Sequence, residues 1–151
     1  MKFVASLVLA AAAFAVAAPA SAQFAKPEDA IKYRQSALFI MSQHFGRIGA
    51  MVNGRVPYDA KVAVDNAEIV AEMSKLPWAG FGPGTDKPSP TKAKPDVWTE
   101  QAKFKEHNEK LVGETAKLLA AAKTNNLDNL KTAFGSTANT CKGCHDSFRN
   151  N

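Results

Sequence analysis

The sequence predicts an all-α protein, an up-down-up-down antiparallel four-helix bundle. Three observations indicate this fold. Apolar residues recur every three or four positions in four stretches, breaker residues separate the stretches, and no segment combines two-residue alternation with β-branched enrichment. Short links at residues 53–58 and 123–127 make neighbouring helices antiparallel, and a bundle of this topology accommodates a long middle link.

The first two helices are predicted from their ends and their apolar seams. The first begins near Pro27, which suits a first-turn position, and ends at Asn53 and Gly54. Its seam contains Ile31, Arg34, Leu38, Met41, Phe45, Ile48 and Val52. The second follows Asp59 and stops at Pro77. Its seam contains Val62, Asn66, Ile69, Met73 and Leu76.

The last two helices follow a long middle link. This link, residues 77–95, contains five prolines and three glycines; its first half carries two aromatics that could cover an apolar edge, and its second half looks solvated. The third helix opens near Pro95 and has a seven-residue apolar repeat. The repeat consists of Val97, Phe104, Leu111 and Leu118. The fourth follows Asn126. Its apolar positions are Leu127, Leu130, Phe134, Cys141 and Phe148.

The first 22 residues are predicted to be a cleaved signal peptide. Lys2 precedes a largely apolar stretch at 3–18, and the small residues 20–22 form a cleavage site before Gln23. A membrane anchor is disfavoured because a span needs about 20 strongly apolar residues. The mature chain, residues 23–151, would then be one domain in an oxidising compartment, most simply a bacterial periplasm, with no membrane span of its own.

Size and charge exclude little beyond a large multidomain enzyme. The chain has 151 residues, and 19 Lys and Arg stand against 14 Asp and Glu, a net charge of +5. This mild excess does not by itself indicate a partner, and we expect neither nucleic-acid binding nor enzymatic activity. The two cysteines are too few and too close for a disulfide scaffold.

The residues that carry chemistry are Cys-Lys-Gly-Cys-His at 141–145, the pattern of covalent haem attachment. Two thiols three apart reach the two vinyl groups of one porphyrin, and the adjacent imidazole of His145 ligates its iron. On a helix, Cys141 and His145 share a face. A redox dithiol would open a helix after a strand. A zinc site would need a fourth ligand, and His44 and His107 are the other histidines.

A second axial ligand would have to come from upstream, because only six residues follow His145. The candidates are Met41, Met51, Met73, His44 and His107. Core packing is the simpler interpretation of the seam methionines, and the histidines flank polar positions. An open sixth position is therefore the preferred prediction.

Two arginines stand where a haem would give them partners. Arg34 occupies an apolar seam position, where an unpaired guanidinium is costly; a haem propionate would pair with it, or its stem would carry the charge to solvent. Arg149 lies four residues after His145, over the same helical face, or in a frayed C-terminus.

These residues together resemble the cytochrome c' family over essentially the whole mature chain. The resemblance rests on the haem motif, the four-helix pattern, the signal peptide and three stretches, residues 23–30, 33–38 and 76–78. It implies a class II c-type cytochrome, a homodimer packed through its first helices, with one haem c held by two thioethers and five-coordinate high-spin iron. The residues at the family's functional positions are Leu38 on the distal face, Arg34 and Gln35 at the propionates, Phe81 in the loop and Arg149 beside His145. Residues 86–94 depart from the pattern by a slightly longer segment, so no haem contact is assigned there.

The expected function is that of a periplasmic haem protein that binds nitric oxide and carbon monoxide, in nitric oxide tolerance or electron transfer with an unidentified redox partner. An apolar pocket gated by Leu38, with no polar donor for dioxygen, favours these gases. The alternative is a six-coordinate low-spin class II cytochrome that acts purely as an electron carrier, with an upstream methionine such as Met41 completing the coordination.

Overall fold

In the computed structural model the main secondary-structure elements are all helices, and the predicted all-α bundle is confirmed. The structure describes residues 23–87 and 90–150. The helices are α1 (Pro27–Val52), α2 (Ala60–Met73), α3 (Asp96–Thr99), α4 (Gln101–Ala122) and α5 (Leu127–Phe148), and a 3₁₀ turn covers Pro77–Phe81. Within these two ranges, the only β-type pairing is an isolated bridge between Ala93 and Arg149. The predicted signal peptide, residues 1–22, lies outside the described residues.

Two of the helices, α2 and α5, begin where a local side chain satisfies free amides of the first turn. Asp59 precedes α2, and its Oδ1 accepts a hydrogen bond from the Val62 amide at 3.0 Å. Asn126 precedes α5, and its Oδ1 accepts from the amides of residues 128 and 129 at 2.9 and 3.0 Å. These caps fix the starts of two helices that the sequence placed at the same points.

The core forms where the four long helices face one another. Phe45 on α1 stacks on Phe134 on α5 with ring centroids 4.3 Å apart. A Cβ on Gly49 would lie 3.0 Å from the Phe134 ring, so this close approach needs a residue without a side chain. Between α2 and α4, the buried hydroxyls of Ser74 and Thr115 share a hydrogen bond of 2.9 Å. The bundle is therefore held by both apolar packing and satisfied polar groups.

The third predicted helix is divided in two. Glu100 has φ −110° and ψ 47°, which separates α3 from α4. The division lets Trp98 donate from its indole Nε1 to the Gly82 carbonyl at 3.1 Å, so α3 is tied to the middle link. The seven-residue repeat nevertheless points inward on both sides of the break, with Val97 and Leu118 both buried.

The described part of the second half of the middle link, residues 85–87 and 90–95, is only partly the solvated loop that its composition predicted, because residues 87, 90, 92 and 95 are exposed and others are not. The side chain of Thr85 is buried, with 5% of the residue exposed. Residues 92–94 pair with residues 148–150 through two backbone hydrogen bonds of 2.8 and 2.9 Å. The link is therefore packed between the start of α1 and the end of α5, because a buried cation of α1, described below, requires its oxygen atoms.

Some apolar side chains of the first two helices remain uncovered. Phe39 and Ile40 on α1 are 63% and 42% exposed, and Val62 on α2 is 43% exposed. None of the helices among residues 23–87 and 90–150 has the length and apolar character needed to cross a bilayer.

Candidate functional site

The haem motif lies in the last two turns of α5. Cys141 is half-buried and packs against the main apolar core, and Cys144 is half-buried one turn later. His145 follows on the exposed side of the helix. The helix thus directs two thiols towards the protein interior and places an imidazole next to them.

Both thiols are free and lie in apolar surroundings. Burial raises the pKa of Cys141, and burial followed by the charge of Cys141 raises the pKa of Cys144 to about 11. At neutral pH these are protonated, weakly polar groups that do not resemble a redox-active thiolate pair. A half-buried, apolar pair of thiols beside a histidine fits the attachment of a porphyrin edge.

His145 borders a cavity of about 310 Å³ at the end of α5. The other residues that line it are Lys94, Asp146, Arg149 and Asn150. Partial burial, followed by the positive charge of Arg149, lowers the pKa of His145. The neutral imidazole, which is the form that ligates iron, is therefore favoured.

Arg149 reaches this cavity by a route that the sequence did not predict. It lies beyond the end of α5 with extended backbone angles, φ −126° and ψ 133°, and forms the antiparallel bridge with Ala93. Its amide still donates to the His145 carbonyl at 3.0 Å, and it lines the same cavity as His145, so it lies beside this residue as predicted and is not a frayed end. The backbone pairing with the middle link begins at Arg149, so that α5 ends at Phe148.

Arg34 is fully buried, and the interpretation that its stem reaches solvent is wrong. Its Nη1 donates to the carbonyl of Gly80 at 2.6 Å and to Oγ1 of Thr85 at 2.9 Å. Its Nη2 donates to the Thr85 carbonyl at 2.9 Å and to Oγ1 of Thr91 at 3.1 Å. The protein itself therefore satisfies four guanidinium N–H groups, without a propionate.

Aromatic rings cover the same guanidinium. Its carbon lies 4.4 Å from the centroid of the Phe81 ring and 5.4 Å from that of Trp98. Phe81 in turn meets Phe104 edge to face at 4.9 Å. Burial lowers the pKa of Arg34 from a value so high that the group stays charged. The 3₁₀ turn approaches closely here, since a Cβ on Gly80 would lie 2.6 Å from the Ala30 carbonyl oxygen.

Two further predicted residues lie on α1 beside Arg34. Gln35 is exposed and donates from Nε2 to the Pro90 carbonyl at 2.9 Å. Leu38 is half-buried and packs against the core that Cys141 also contacts. Gln35 is thus directed to the middle link, and Leu38 to the interior.

The upstream groups considered as second axial ligands have structural partners of their own. Met41 and Met51 are buried in the main core, and Met73 packs against it. His44 shares a hydrogen bond of 2.8 Å with Oδ1 of Asn66. His107 meets the Phe148 ring edge to face at 5.6 Å.

The sequence analysis did not identify the hydrogen-bond acceptors of the middle link. Thr85 and Thr91 hold Arg34, and Trp98 covers it. The sequence does contain a signal for them. A buried arginine needs several hydrogen-bond acceptors, and the proline-rich link that follows α2 contains two threonines that could supply them. The pairing spans 51 and 57 residues, so no local pattern reveals it.

Comparison with known proteins gives one consistent result. The family described as Cytochrome C' matches residues 29–149. A cytochrome c' from Rubrivivax gelatinosus is 51% identical over 127 residues, which cover 84% of this chain and 98% of that protein. Its crystal structure matches with a TM-score of 0.82, covering 85% of this chain and 100% of that one. A nitric oxide complex of a leucine-to-alanine variant of cytochrome c' from Alcaligenes xylosoxidans matches at 46% identity with a TM-score of 0.79, covering 85% and 99%.

Proposed function

The chain belongs to the cytochrome c' family, and we propose that it is a periplasmic haem protein with five-coordinate, high-spin iron that binds nitric oxide and carbon monoxide. Members of the family carry covalent haem c, and haem c is the cofactor of this chain. The physiological role is nitric oxide tolerance or electron transfer, and not catalysis of a reaction on an organic substrate.

Cys141 and Cys144 would form the two thioethers to the haem, and His145 would ligate its iron. The support is the inward direction of two free thiols on one helix and the lowered pKa of the adjacent imidazole. When bound, haem supplies an iron centre that takes up diatomic gases and exchanges single electrons. The chain's own task is to hold this centre in an apolar bundle and to limit access to it.

The observation that carries the proposal of an open sixth position is the engagement of every upstream candidate. The three methionines pack in or against the core, and each histidine contacts a neighbouring side chain. To reach the iron, any of them would have to leave these contacts. Leu38 on α1 then presents an apolar side chain at the distal face and acts as the gate.

Apolar gating explains the choice of gas. Nitric oxide and carbon monoxide bind iron without a hydrogen-bond donor, whereas bound dioxygen is stabilised by one. The nitric oxide complex of the Alcaligenes xylosoxidans leucine-to-alanine variant supports nitric oxide binding within the family. Arg34 and Phe81 are in contact, and Gln35 is next to Arg34 on α1. This group would border the propionates while the Arg34 N–H groups stay bound to the middle link, and Arg149 lies beside His145.

A homodimer is proposed through the uncovered apolar side chains of the first two helices. Phe39 and Ile40 on α1 and Val62 on α2 are the exposed apolar residues that support it. Analytical ultracentrifugation of the purified protein tests this directly: a dimer mass is expected, and a monomer mass at micromolar concentration excludes it.

Export is proposed from residues 1–22, with cleavage before Gln23. The haem-attachment motif agrees with this compartment, since haem is attached to c-type cytochromes after export. Mass spectrometry of the purified holoprotein checks the cleavage site, because the mature N-terminus would be Gln23 and the mass would include one haem.

Gas titration tests the central proposal. The ferrous holoprotein is titrated with carbon monoxide and nitric oxide and followed by absorption spectroscopy, with saturable changes expected for both. Absence of any change, together with a methionine-to-iron charge-transfer band in the ferric protein, would support the low-spin electron carrier instead. Denaturation should leave the colour on the polypeptide; its release would exclude covalent attachment.

A further inference from the structure

A short segment of the middle link connects α1 to the end of α5. We call residues 90–95 the strap. Arg34 is attached to it through Nη2, which donates to Oγ1 of Thr91 at 3.1 Å. The same oxygen accepts the backbone N–H of Ala93 at 3.2 Å. One hydroxyl therefore joins the buried cation of α1 to the backbone of the strap.

The other side of the strap is paired with the C-terminal residues. The Lys94 amide donates to the Phe148 carbonyl at 2.9 Å, and the Asn150 amide donates to the Lys92 carbonyl at 2.8 Å. These two bonds flank the bridge between Ala93 and Arg149. The strap thus connects Arg34 to the C-terminal residues: Thr91 binds Arg34, and Ala93, two residues later, pairs with Arg149.

Two sets of backbone hydrogen bonds place Arg149. Its own amide donates to the His145 carbonyl at 3.0 Å, and beyond this bond, where the helix has ended, the pairing with the strap fixes the chain. Lys94 strengthens the same contact, since its Nζ donates to the Asp146 carbonyl at 2.9 Å. Arg149, Lys94 and His145 line one cavity.

We propose that Arg34 and Thr91 are positioning residues for the proximal side of the haem: acting through the strap, they hold Arg149 beside His145. The inference rests on the proposed function, in which His145 ligates the iron. Arg34 then acts on the His145 side of the haem, whereas the sequence analysis had assigned it to the propionates. A buried, five-donor cation suits this task, because it binds the Gly80 and Thr85 oxygens and the strap at once.

The strap has a second, weaker attachment. Gln35 donates to the Pro90 carbonyl at 2.9 Å, but this bond is exposed to solvent. Loss of the Thr91 oxygen should therefore loosen the strap without releasing it. The expected effect is local opening and not unfolding of the bundle.

The first measurement is hydrogen exchange of the Lys94 and Asn150 amides in the ferrous holoprotein. In Thr91→Val, exchange should accelerate by about tenfold, the loss expected for one charge-assisted hydrogen bond. Thr91→Ser keeps the oxygen and should exchange as the parent does. Thr132→Val is the matched control, since the Thr132 hydroxyl is exposed on α5 and donates to the Asp128 carbonyl. If Thr91→Val fails to fold, Thr91→Ala removes the same oxygen. Unchanged exchange at both amides would overturn the proposal.

The second measurement asks whether the strap acts through Arg149. The iron–histidine stretching band of the ferrous holoprotein is recorded by resonance Raman spectroscopy. Thr91→Val should shift this band in the direction of Arg149→Ala, and the double variant should show no further shift. Additive shifts would mean that Thr91 does not act through Arg149 and would overturn the proposal. Neither measurement needs a bound gas, so a failure of nitric oxide binding would be seen separately.

Discussion

The two ends of the bundle are built in different ways. At one end, residues 53–59 and 123–126 turn the chain between neighbouring helices, and we call this the turn end. At the other, which we call the haem end, residues 77–87 and 90–100 pack against the start of α1 and the end of α5. Caps that reach two or three residues along the chain form the turn end, whereas hydrogen bonds across 46 to 57 residues form the haem end.

This difference separates what is needed to fold from what is needed to bind. Asp59 and Asn126 start their helices through bonds that any folded or partly folded chain can make. Burial of Arg34 becomes favourable only when the 3₁₀ turn and both threonines are in place to accept its hydrogen bonds. The haem end therefore depends on each of its members.

The largest expected effect breaks the haem end at its buried cation. Arg34→Met leaves the Gly80 and Thr85 carbonyls without their donor, so the free energy of unfolding should fall by about 3 kcal/mol. Chemical denaturation of the holoprotein measures it. Arg47→Met is the matched control, because Arg47 is an exposed arginine of the same helix and should change the value by less than about 0.5 kcal/mol. Equal effects for the two variants would contradict the assigned role.

The next prediction concerns access to the iron. Leu38→Ala removes the apolar gate, and carbon monoxide association should accelerate by roughly a hundredfold, since displacing a packed leucine costs about 3 kcal/mol. Stopped-flow mixing of the ferrous protein with carbon monoxide measures this rate. Leu119→Ala serves as the control, because Leu119 is equally half-buried but lies towards the turn end. An unchanged rate in Leu38→Ala would remove Leu38 from the gate.

The smallest effect is expected at the turn end. Asn126→Ala removes the cap of α5 and should lower the free energy of unfolding by about 1 kcal/mol, with carbon monoxide kinetics unchanged. Asn139→Ala, an exposed position within the same helix, should have little effect on stability. A change in gas kinetics for Asn126→Ala would show that the two ends are not independent.

The same division marks what the sequence could predict. The helix starts at residues 27, 60 and 127 follow from proline and from capping side chains, and the structure confirms all three. The haem-attachment motif could also be predicted, because all of its functional side chains lie within five consecutive residues. The partners of Arg34 were not, since a threonine in a proline-rich link has the same composition whether it is solvated or buried. The pairing of Arg149 with Ala93 could not be predicted for a related reason: helical periodicity does not show that a distant segment pairs with the residue at the end of the helix.

The haem end as a whole exists, on this account, to present iron with His145 on one side and only Leu38 on the other. Electron paramagnetic resonance of the ferric holoprotein at neutral pH tests this claim most directly, because it reports the spin state without added ligand. A high-spin signal is expected in the wild-type protein, and Met41→Leu should leave it unchanged. A low-spin signal that Met41→Leu converts to high spin would contradict it and identify the methionine as the sixth ligand.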